Sequence, residues 1–392
     1  MSDKKFILSK GPFIRRADFG KLNTKTMMMD VIIALCPLIL FAWIKNGIIP
    51  LASSVANTNF YTMIRPLIFI ILGGGSAYLF EALYYLFFVK TEKIDNKEVK
   101  VKPFVKAWET YAIIPGLMLA MILPLNTPLW ILLLGTLFAI WIGKMIFGGF
   151  GYNLFNPALV GYIFVMTAFY GVISKNGGYL NPAETINVVS GATPLADFKN
   201  VLTGAESLDN VIASHGSLWK FFLGIRSGSL AETSGLLCLL AYAYLVFKGV
   251  IDWKMPLAYV GTVFLISYVV GAFTGYALTL NYALFNILNG GVLFAAVFMV
   301  TEPVTNPRND FAKILYAIYI GLLTITLRFL SDMPEGASTA ILFMNMFTPL
   351  LDLSCAKLRV EESLKKKIIG YGIYVLIAVA ITVFIILRLT IR

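Results

Sequence analysis

Long runs of apolar residues, separated by short polar segments, dominate the chain. A helix needs about 20 mostly apolar residues to cross the ~30 Å hydrocarbon core of a bilayer. Runs of this kind predict ten membrane-spanning helices and an eleventh near the end of the chain: 30–50, 64–89, 110–124, 128–147, 153–173, 234–249, 255–273, 283–301, 313–330, 337–352 and 368–388. The third run is short and contains Pro115 and Gly116, which predicts a tilted or broken helix. The pattern is typical of an all-α polytopic membrane protein.

The composition supports a bilayer environment. Of the 392 residues, 58% are hydrophobic and 14% are charged, whereas soluble domains carry about 25% charged residues. The formal net charge is +11. Because the basic residues cluster in short segments between apolar runs, they indicate orientation in a membrane rather than binding to nucleic acid.

Lysine and arginine are concentrated in three segments, namely 1–29, 90–106 and 353–367. Cytoplasmic loops carry an excess of these residues. With a cytoplasmic N-terminal segment (1–29), all three lie on the cytoplasmic side of the membrane. The one long polar stretch, 174–233, is then predicted to be extracytoplasmic.

A short internal repeat predicts how the helices are arranged. Asn153-Leu-Phe-Asn-Pro157 opens the fifth span, and Asn345-Met-Phe-Thr-Pro349 lies in the tenth. Five spans separate the copies, so they run in opposite directions. This predicts two inverted five-helix repeats, residues 30–173 and 234–352, followed by a basic cytoplasmic linker and an extra C-terminal transmembrane helix in 353–392. Each proline would leave a backbone acceptor without a donor, which favours the protein interior or a ligand, although an ordinary proline kink is the alternative.

Two segments are candidates for binding or modification. Gly148, Gly149 and Gly151 precede Pro157 and would let the backbone approach a flat or phosphorylated group closely. In the outer stretch, Ser190-Gly191-Ala192-Thr193 precedes Pro194. These residues are typical of a turn, and a hydroxyl on such a turn could also carry a phosphoester. The residues alone leave both interpretations open.

Four carboxylates lie near the ends of predicted spans: Asp30, Glu81, Glu302 and Asp352. Carboxylates inside a membrane often belong to an ion path. The alternative is a helix cap or a pair with a lysine, and Asp30 could pair with Lys25 or Arg15.

Short motifs in a fixed order carry a resemblance to one family. They are Pro12-Phe-Ile-Arg15, Phe147 to Gly161, Ser190 to Leu195, Gly228 to Ser234, Asn289-Gly-Gly291, Thr301 to Thr305, Pro334-Glu-Gly336, and Asn345 with Pro349 to Asp352. The chain resembles the D subunit of the Rnf-type ion-translocating ferredoxin:NAD oxidoreductase. It resembles more distantly the B subunit of the sodium-pumping NADH:quinone oxidoreductase.

The resemblance implies a covalent flavin. Thr193 would carry FMN through its phosphate, with Ser190, Gly191 and Ala192 forming the rest of the motif, and a separate flavin transferase would attach it outside the membrane. The charge-based orientation independently predicts Thr193 on that side. The sequence departs from the family at 187–188, where Asn-Val replaces the usual Asp-Gly. The family also holds a non-covalent riboflavin, which we expect near 148–157, facing the region of Asn345.

The predicted function is therefore that of a membrane subunit carrying electrons through FMN, within a complex that moves Na+ or H+. We find no catalytic residues or metal ligands that this subunit would need for chemistry of its own. Other subunits of the complex, the flavin transferase and membrane lipid are the predicted partners. The alternatives are the B subunit of the quinone reductase, a secondary transporter or channel without redox function, and a structural scaffold for redox partners.

Overall fold

A computed structural model describes residues 23–52, 58–89, 91–94, 97–178, 194–202, 204–214, 216–225, 228–231, 234–273, 279–331, 336–361 and 363–390. In order along the chain, the helices are α1 Thr24–Ala52, α2 Phe60–Phe88, α3 Pro103–Glu109, α4 Ile113–Ile122, α5 Leu129–Met145, α6 Pro157–Lys175, α7 Pro194–Leu202, α8 Leu208–Ser214, α9 Leu218–Leu223, α10 Gly235–Phe247, α11 Lys254–Phe273, α12 Thr279–Leu288, α13 Val292–Met299, α14 Asp310–Leu330, α15 Gly336–Val360 and α16 Leu364–Thr390. Strands β1 (Thr91–Ile94) and β2 (Lys97–Lys100) form a small antiparallel hairpin in the basic loop after α2.

The helices account for all eleven predicted apolar runs. Within the described ranges, seven helices are long and apolar enough to cross a membrane: α1, α2, α6, α11, α14, α15 and α16. Two further runs are bent pairs, α3–α4 and α12–α13, with bends of 62° and 65°. The remaining two runs form the shorter apolar helices α5 and α10. The prediction of an all-α polytopic membrane protein is confirmed.

The positions of the two breaks differ from the prediction. The third run breaks at 110–112, ahead of Pro115. Pro115 instead lies in the first turn of α4, where the missing N–H costs no helix hydrogen bond. The predicted continuous helix 283–301 is wrong, because the chain breaks at Asn289. Gly290 and Gly291 follow, both with φ of 59°, in the left-handed region that glycine adopts without a Cβ clash.

The same packing pattern occurs in both halves of the membrane region. In the first half, α2 packs on α4 and α5, and α5 packs on α6; in the second, α11 packs on α12 and α14, and α14 packs on α15. The third apolar element is the broken one in each half. Between the halves, α1 contacts α10 and α6 contacts α15. The first apolar element of one half therefore contacts the first of the other, and the fifth contacts the fifth. This is the arrangement expected of two repeats related by a two-fold axis.

The two prolines of the sequence repeat are not structurally equivalent. Pro157 is the first residue of α6, where a proline is favoured, and the Asn156 side chain accepts from the backbone N–H of Ala158 at 3.1 Å. Pro349 lies inside α15. The expectation of a lost helix hydrogen bond is therefore wrong for Pro157 and holds for Pro349.

Small residues allow the helices of each half to approach closely. A Cβ at Gly73 of α2 would lie 2.7 Å from the carbonyl oxygen of Gly116 in α4. A Cβ at Gly161 of α6 would lie 2.7 Å from the carbonyl oxygen of Gly135 in α5. Glycine at such crossings is characteristic of helix packing in membranes, where tight backbone approach supplies the attraction.

Candidate functional site

The predicted flavin-attachment motif, Ser190, Gly191, Ala192 and Thr193, lies outside the described residues. The chain that follows it is anchored on the second half. Leu195 and Phe198 of α7 are buried, and the Phe198 ring packs against three aromatic rings of α12 and α14: Tyr282, Phe285 and Phe329. The start of α7 is thereby held against the break at Asn289–Gly291, which we call the second break.

A cavity of about 100 Å³ lies between the two halves. One side is apolar, formed by α1, α4 and α10 together with Phe298. The other side carries polar groups: Thr110, Lys144, Asn153, Asn156 and Glu302. Tyr111 and Phe150 contribute rings whose centroids are 6.0 Å apart. The cavity therefore offers apolar surface, aromatic rings and hydrogen-bonding groups together.

The wall of this cavity contains two unusual backbone segments. Tyr111, at the break between α3 and α4, has φ of 52°, a strained value for a residue with a side chain, and such strain tends to occur at functional sites. Gly148, Gly149 and Gly151 all have positive φ, between 86° and 115°. The turn before α6 thus needs glycine at these positions, and it carries Asn153 and Asn156 to the cavity.

A buried ion pair lies beside the first break. Lys144 Nζ is 2.7 Å from Glu81 Oε2, and both side chains are almost fully buried. The same ammonium donates to the carbonyl oxygen of Thr110 at 3.0 Å, and the Thr110 hydroxyl donates to Glu81. Lys144 therefore both neutralises Glu81 and satisfies a carbonyl that the broken helix leaves without an N–H partner.

Glu302 lies in the turn between α13 and α14. It accepts from Asn153 Nδ2 at 3.0 Å and from Thr305 Oγ1 at 2.7 Å. Burial raises the pKa of this carboxyl to about 7, against the lowering effect of these hydrogen bonds and of the Lys144 charge. Glu302 therefore changes its charge near neutral pH.

A second, more polar cavity of about 520 Å³ borders the first. Asn153 belongs to both walls. Thr305, Asn345 and Asp352 line the second cavity, which therefore faces the partners of Glu302. The side-chain amide of Asn345 is best hydrogen-bonded when its oxygen and nitrogen are exchanged. In that orientation its oxygen accepts from the backbone N–H of Asn156 at 3.1 Å. This contact joins α15 to the start of α6.

The other two predicted carboxylates have structural contacts. Asp30 accepts from the Tyr244 hydroxyl at 2.8 Å and lies 3.9 Å from Lys248 Nζ. The predicted pairing with Lys25 is therefore wrong, and Arg15 lies outside the described residues. Asp352 accepts from the backbone N–H groups of residues 308 and 309, each at 2.9 Å, so it holds the turn before α14.

The second break, at Asn289–Gly291, has its own buried cation. Arg328 of α14 is 3% exposed, and its guanidinium donates to the carbonyl oxygens of Asn286, Asn289 and Gly290. The two halves thus share one device. Lys144 of α5 donates to a carbonyl at the break between α3 and α4, and Arg328 of α14 donates to carbonyls at the break between α12 and α13. Neither residue was predicted from the sequence. The signal for both was a lone basic residue inside an otherwise apolar predicted span.

Comparison with known proteins agrees with this architecture. Residues 7–360 match the model of the family described as NQR2, RnfD, RnfE. The chain is 32% identical over 354 residues to the D subunit of the Na(+)-translocating ferredoxin:NAD(+) oxidoreductase complex of Acetobacterium woodii, covering 90% of this chain and 94% of that protein.

Two further relatives cover less of the chain. The D subunit of the proton-translocating ferredoxin:NAD(+) oxidoreductase complex of Clostridium ljungdahlii is 35% identical over 67% of this chain and 76% of its own length. The B subunit of the Na(+)-translocating NADH-quinone reductase of Chromohalobacter salexigens is 32% identical over 64% of this chain and 60% of its own length. The chain is therefore an integral membrane protein that belongs to the NQR2, RnfD, RnfE family.

Proposed function

We propose that the chain is the D-type membrane subunit of an ion-translocating complex that transfers electrons between ferredoxin and NAD+ and moves Na+ or H+. The observation that carries this proposal is the extent of its similarity to the protein of Acetobacterium woodii, 90% of the chain and both membrane halves. The similarity to the quinone-reductase protein covers 64%, which makes that function the second candidate. Quinone-dependent electron transfer by the purified complex would favour the second.

The proposed electron carrier is an FMN esterified through its phosphate to Thr193. A flavin transferase attaches it on the extracytoplasmic side of the bacterial inner membrane. When bound, FMN supplies one- and two-electron chemistry, while the protein supplies position and electrostatics. The anchoring of Leu195 and Phe198 on the second half supports the proposal, because it would restrict how far the cofactor moves from its redox partners.

Covalent flavin is tested on the complex purified from a host that has the flavin transferase. We expect ultraviolet fluorescence of the denatured protein on a gel, and one added FMN mass on the peptide that contains Thr193. Thr193→Ala removes both signals and the electron transfer that depends on them. Thr185→Ala, a threonine change in the same loop, leaves both unchanged.

Each rival function predicts a different result. A protein without covalent flavin, as in a transporter or channel, gives a dark band from the same host. A structural scaffold retains full electron transfer in the complex after Thr193→Ala. Either result contradicts the proposed role of Thr193.

We also propose that the segment 148–157, where it lines the cavity between the two halves, binds a second flavin, riboflavin, without a covalent bond. The fit rests on the aromatic rings of Tyr111 and Phe150 and on the amides of Asn153 and Asn156, which suit a flat ring with polar edges. The left-handed glycines at 148–151 add close backbone approach. The residues named would bind and orient the ring.

Glu302 is the proposed ion-path residue, since it is half-buried, lines the first cavity next to the second, and has a pKa raised to about 7 by desolvation. Glu302→Gln keeps a similar shape and removes the charge, so we expect slower ion-coupled turnover in reconstituted vesicles while FMN on Thr193 is retained. Loss of the titration should also flatten the pH dependence of coupling between about pH 6 and about pH 8. Asp310→Asn, at a highly exposed carboxylate, is the control. Unchanged coupling after Glu302→Gln contradicts the proposal.

A further inference from the structure

The short helix α3, which leads into the first break, presents large apolar side chains on its outer side. It is inclined by 62° to α4, the next helix of the same apolar run. One side of α3 packs on α2, with Ala107 fully buried. On the other side, Phe104, Val105 and Trp108 are 52%, 52% and 63% exposed. Because residues three and four positions apart share a helix face, these three form one patch, which we call the α3 surface.

The two rings of the α3 surface are held in place by α2. The ring centroid of Tyr78 in α2 lies 6.3 Å from that of Phe104 and 6.4 Å from that of Trp108. The Tyr78 hydroxyl also donates to the carbonyl oxygen of Phe104 at 3.0 Å. The protein thus fixes the inner sides of both rings, while their outer sides are exposed. Exposed aromatic rings of this kind are typical of the membrane interface.

Positive charge lies at the N-terminal end of the same helix. Lys100 is the last residue of β2 and Lys102 directly precedes α3, and both are exposed. Glu109, the carboxylate of α3, lies at the opposite end of the helix. The segment 90–106 contains six lysines and three acidic residues, so its net charge is positive. The α3 surface is therefore an apolar patch with a basic group of side chains at one end.

An anionic phospholipid has the same division into an apolar and a charged part. Lysines next to a membrane are attracted to anionic headgroups, and their long side chains can lie along apolar surface while the ammonium reaches the charge. A soluble acidic protein would match the lysines but would leave the α3 surface in water.

We propose that α3 binds an anionic phospholipid, with Lys100 and Lys102 at the phosphate and the α3 surface against the acyl chains. The inference rests on the chain being an integral membrane protein and is independent of its electron-transfer function. Because α3 ends at the first break, the lipid also holds the helix that precedes the strained Tyr111.

The test measures quenching of Trp108 fluorescence by phosphatidylglycerol with brominated acyl chains, added to the purified complex in detergent micelles. Subtracting the signal of Trp108→Phe, which keeps an aromatic ring, isolates Trp108. We expect half-maximal quenching at a mole fraction of phosphatidylglycerol roughly 30-fold below that of phosphatidylcholine with the same chains, since each lysine near a membrane surface contributes about a fivefold preference for anionic lipid. Lys100→Gln/Lys102→Gln should remove this preference. It should leave quenching by phosphatidylcholine unchanged, which also shows that the variant is folded.

The control is Lys175→Gln/Lys365→Gln, which removes the same charge at two exposed lysines of α6 and α16. It should keep the preference for phosphatidylglycerol. Equal quenching of the wild-type protein by the two lipids overturns the proposal. A preference that survives Lys100→Gln/Lys102→Gln, or that the control variant loses to the same extent, arises from the overall charge and also overturns it. Absence of Trp108 quenching by either lipid means that a neighbouring subunit covers the α3 surface, which overturns the proposal as well.

Discussion

At the scale of single residues, the buried Glu81–Lys144 pair makes a sharp energetic prediction. Breaking a buried ion pair by removing one partner typically costs about 3–5 kcal/mol, whereas replacing both partners with apolar residues is often close to neutral. We therefore expect Lys144→Met to destabilise the protein strongly, since it leaves the Glu81 carboxylate buried without its ammonium. The double variant Glu81→Leu/Lys144→Met should recover much of the loss, and only the carbonyl of Thr110 then loses its donor.

The measurement is thermal unfolding of the purified complex in detergent. Lys248→Met is the matched control, because Lys248 is half-exposed and lies 3.9 Å from its carboxylate partner Asp30. Pairs of that kind contribute about 0–1 kcal/mol. A double variant that is no more stable than Lys144→Met would show that Lys144 acts through the Thr110 carbonyl rather than through Glu81.

Residue types and spacing indicated the acidic side of the site but not its partners. Glu81 and Glu302 were recognisable as carboxylates at the ends of apolar runs. Lys144 and Arg328 were not recognised, because each is one basic residue in a span that otherwise predicts a plain helix. Their partners come from distant parts of the chain: Lys144 meets Glu81, and Arg328 meets the carbonyls of 286–290. Such contacts depend on how helices pack, which no local pattern records.

At the scale of elements, the existence of the helices was predictable and their breaks were not. Apolar length located every run, since bilayer thickness sets that length directly. The sequence placed the first break at Pro115, but proline is tolerated in the first turn of a helix, and the chain bends at the strained Tyr111 instead. The second break was missed because Asn289-Gly-Gly291 interrupts the apolar run by only three residues.

Both breaks are stabilised in the same way, which explains why they persist in an apolar surrounding. A bent helix exposes backbone carbonyls that lipid cannot satisfy. Lys144 donates a hydrogen bond to the carbonyl oxygen of Thr110, and Arg328 donates to the carbonyl oxygens of three residues within 286–290. The equivalence of these two cations follows from the shared order of packing in the two halves.

At the scale of the whole molecule, the inverted repeat predicts that the two halves place their breaks toward opposite sides of the membrane. The first break follows α3, a helix of seven residues. The second break follows α12, a helix of ten residues. Because five spans separate the halves, these elements enter the membrane from opposite sides. The Glu302 cavity would then lie toward the cytoplasm and the Asn289–Arg328 pair toward the outside.

This orientation can be tested with reporter fusions. With the basic segments in the cytoplasm, alkaline phosphatase fused after Ala205 should be active, and the same enzyme fused after Glu361 should be inactive. Fused after Arg392, beyond α16, it should be active again, because one more span has been crossed. Green fluorescent protein at the same three positions should give the reverse pattern, which controls for expression. Activity after Glu361 together with inactivity after Ala205 would reverse the topology. It would place Thr193 on the cytoplasmic side, away from the extracytoplasmic flavin transferase, and would thus remove the physical basis of the proposed flavin site.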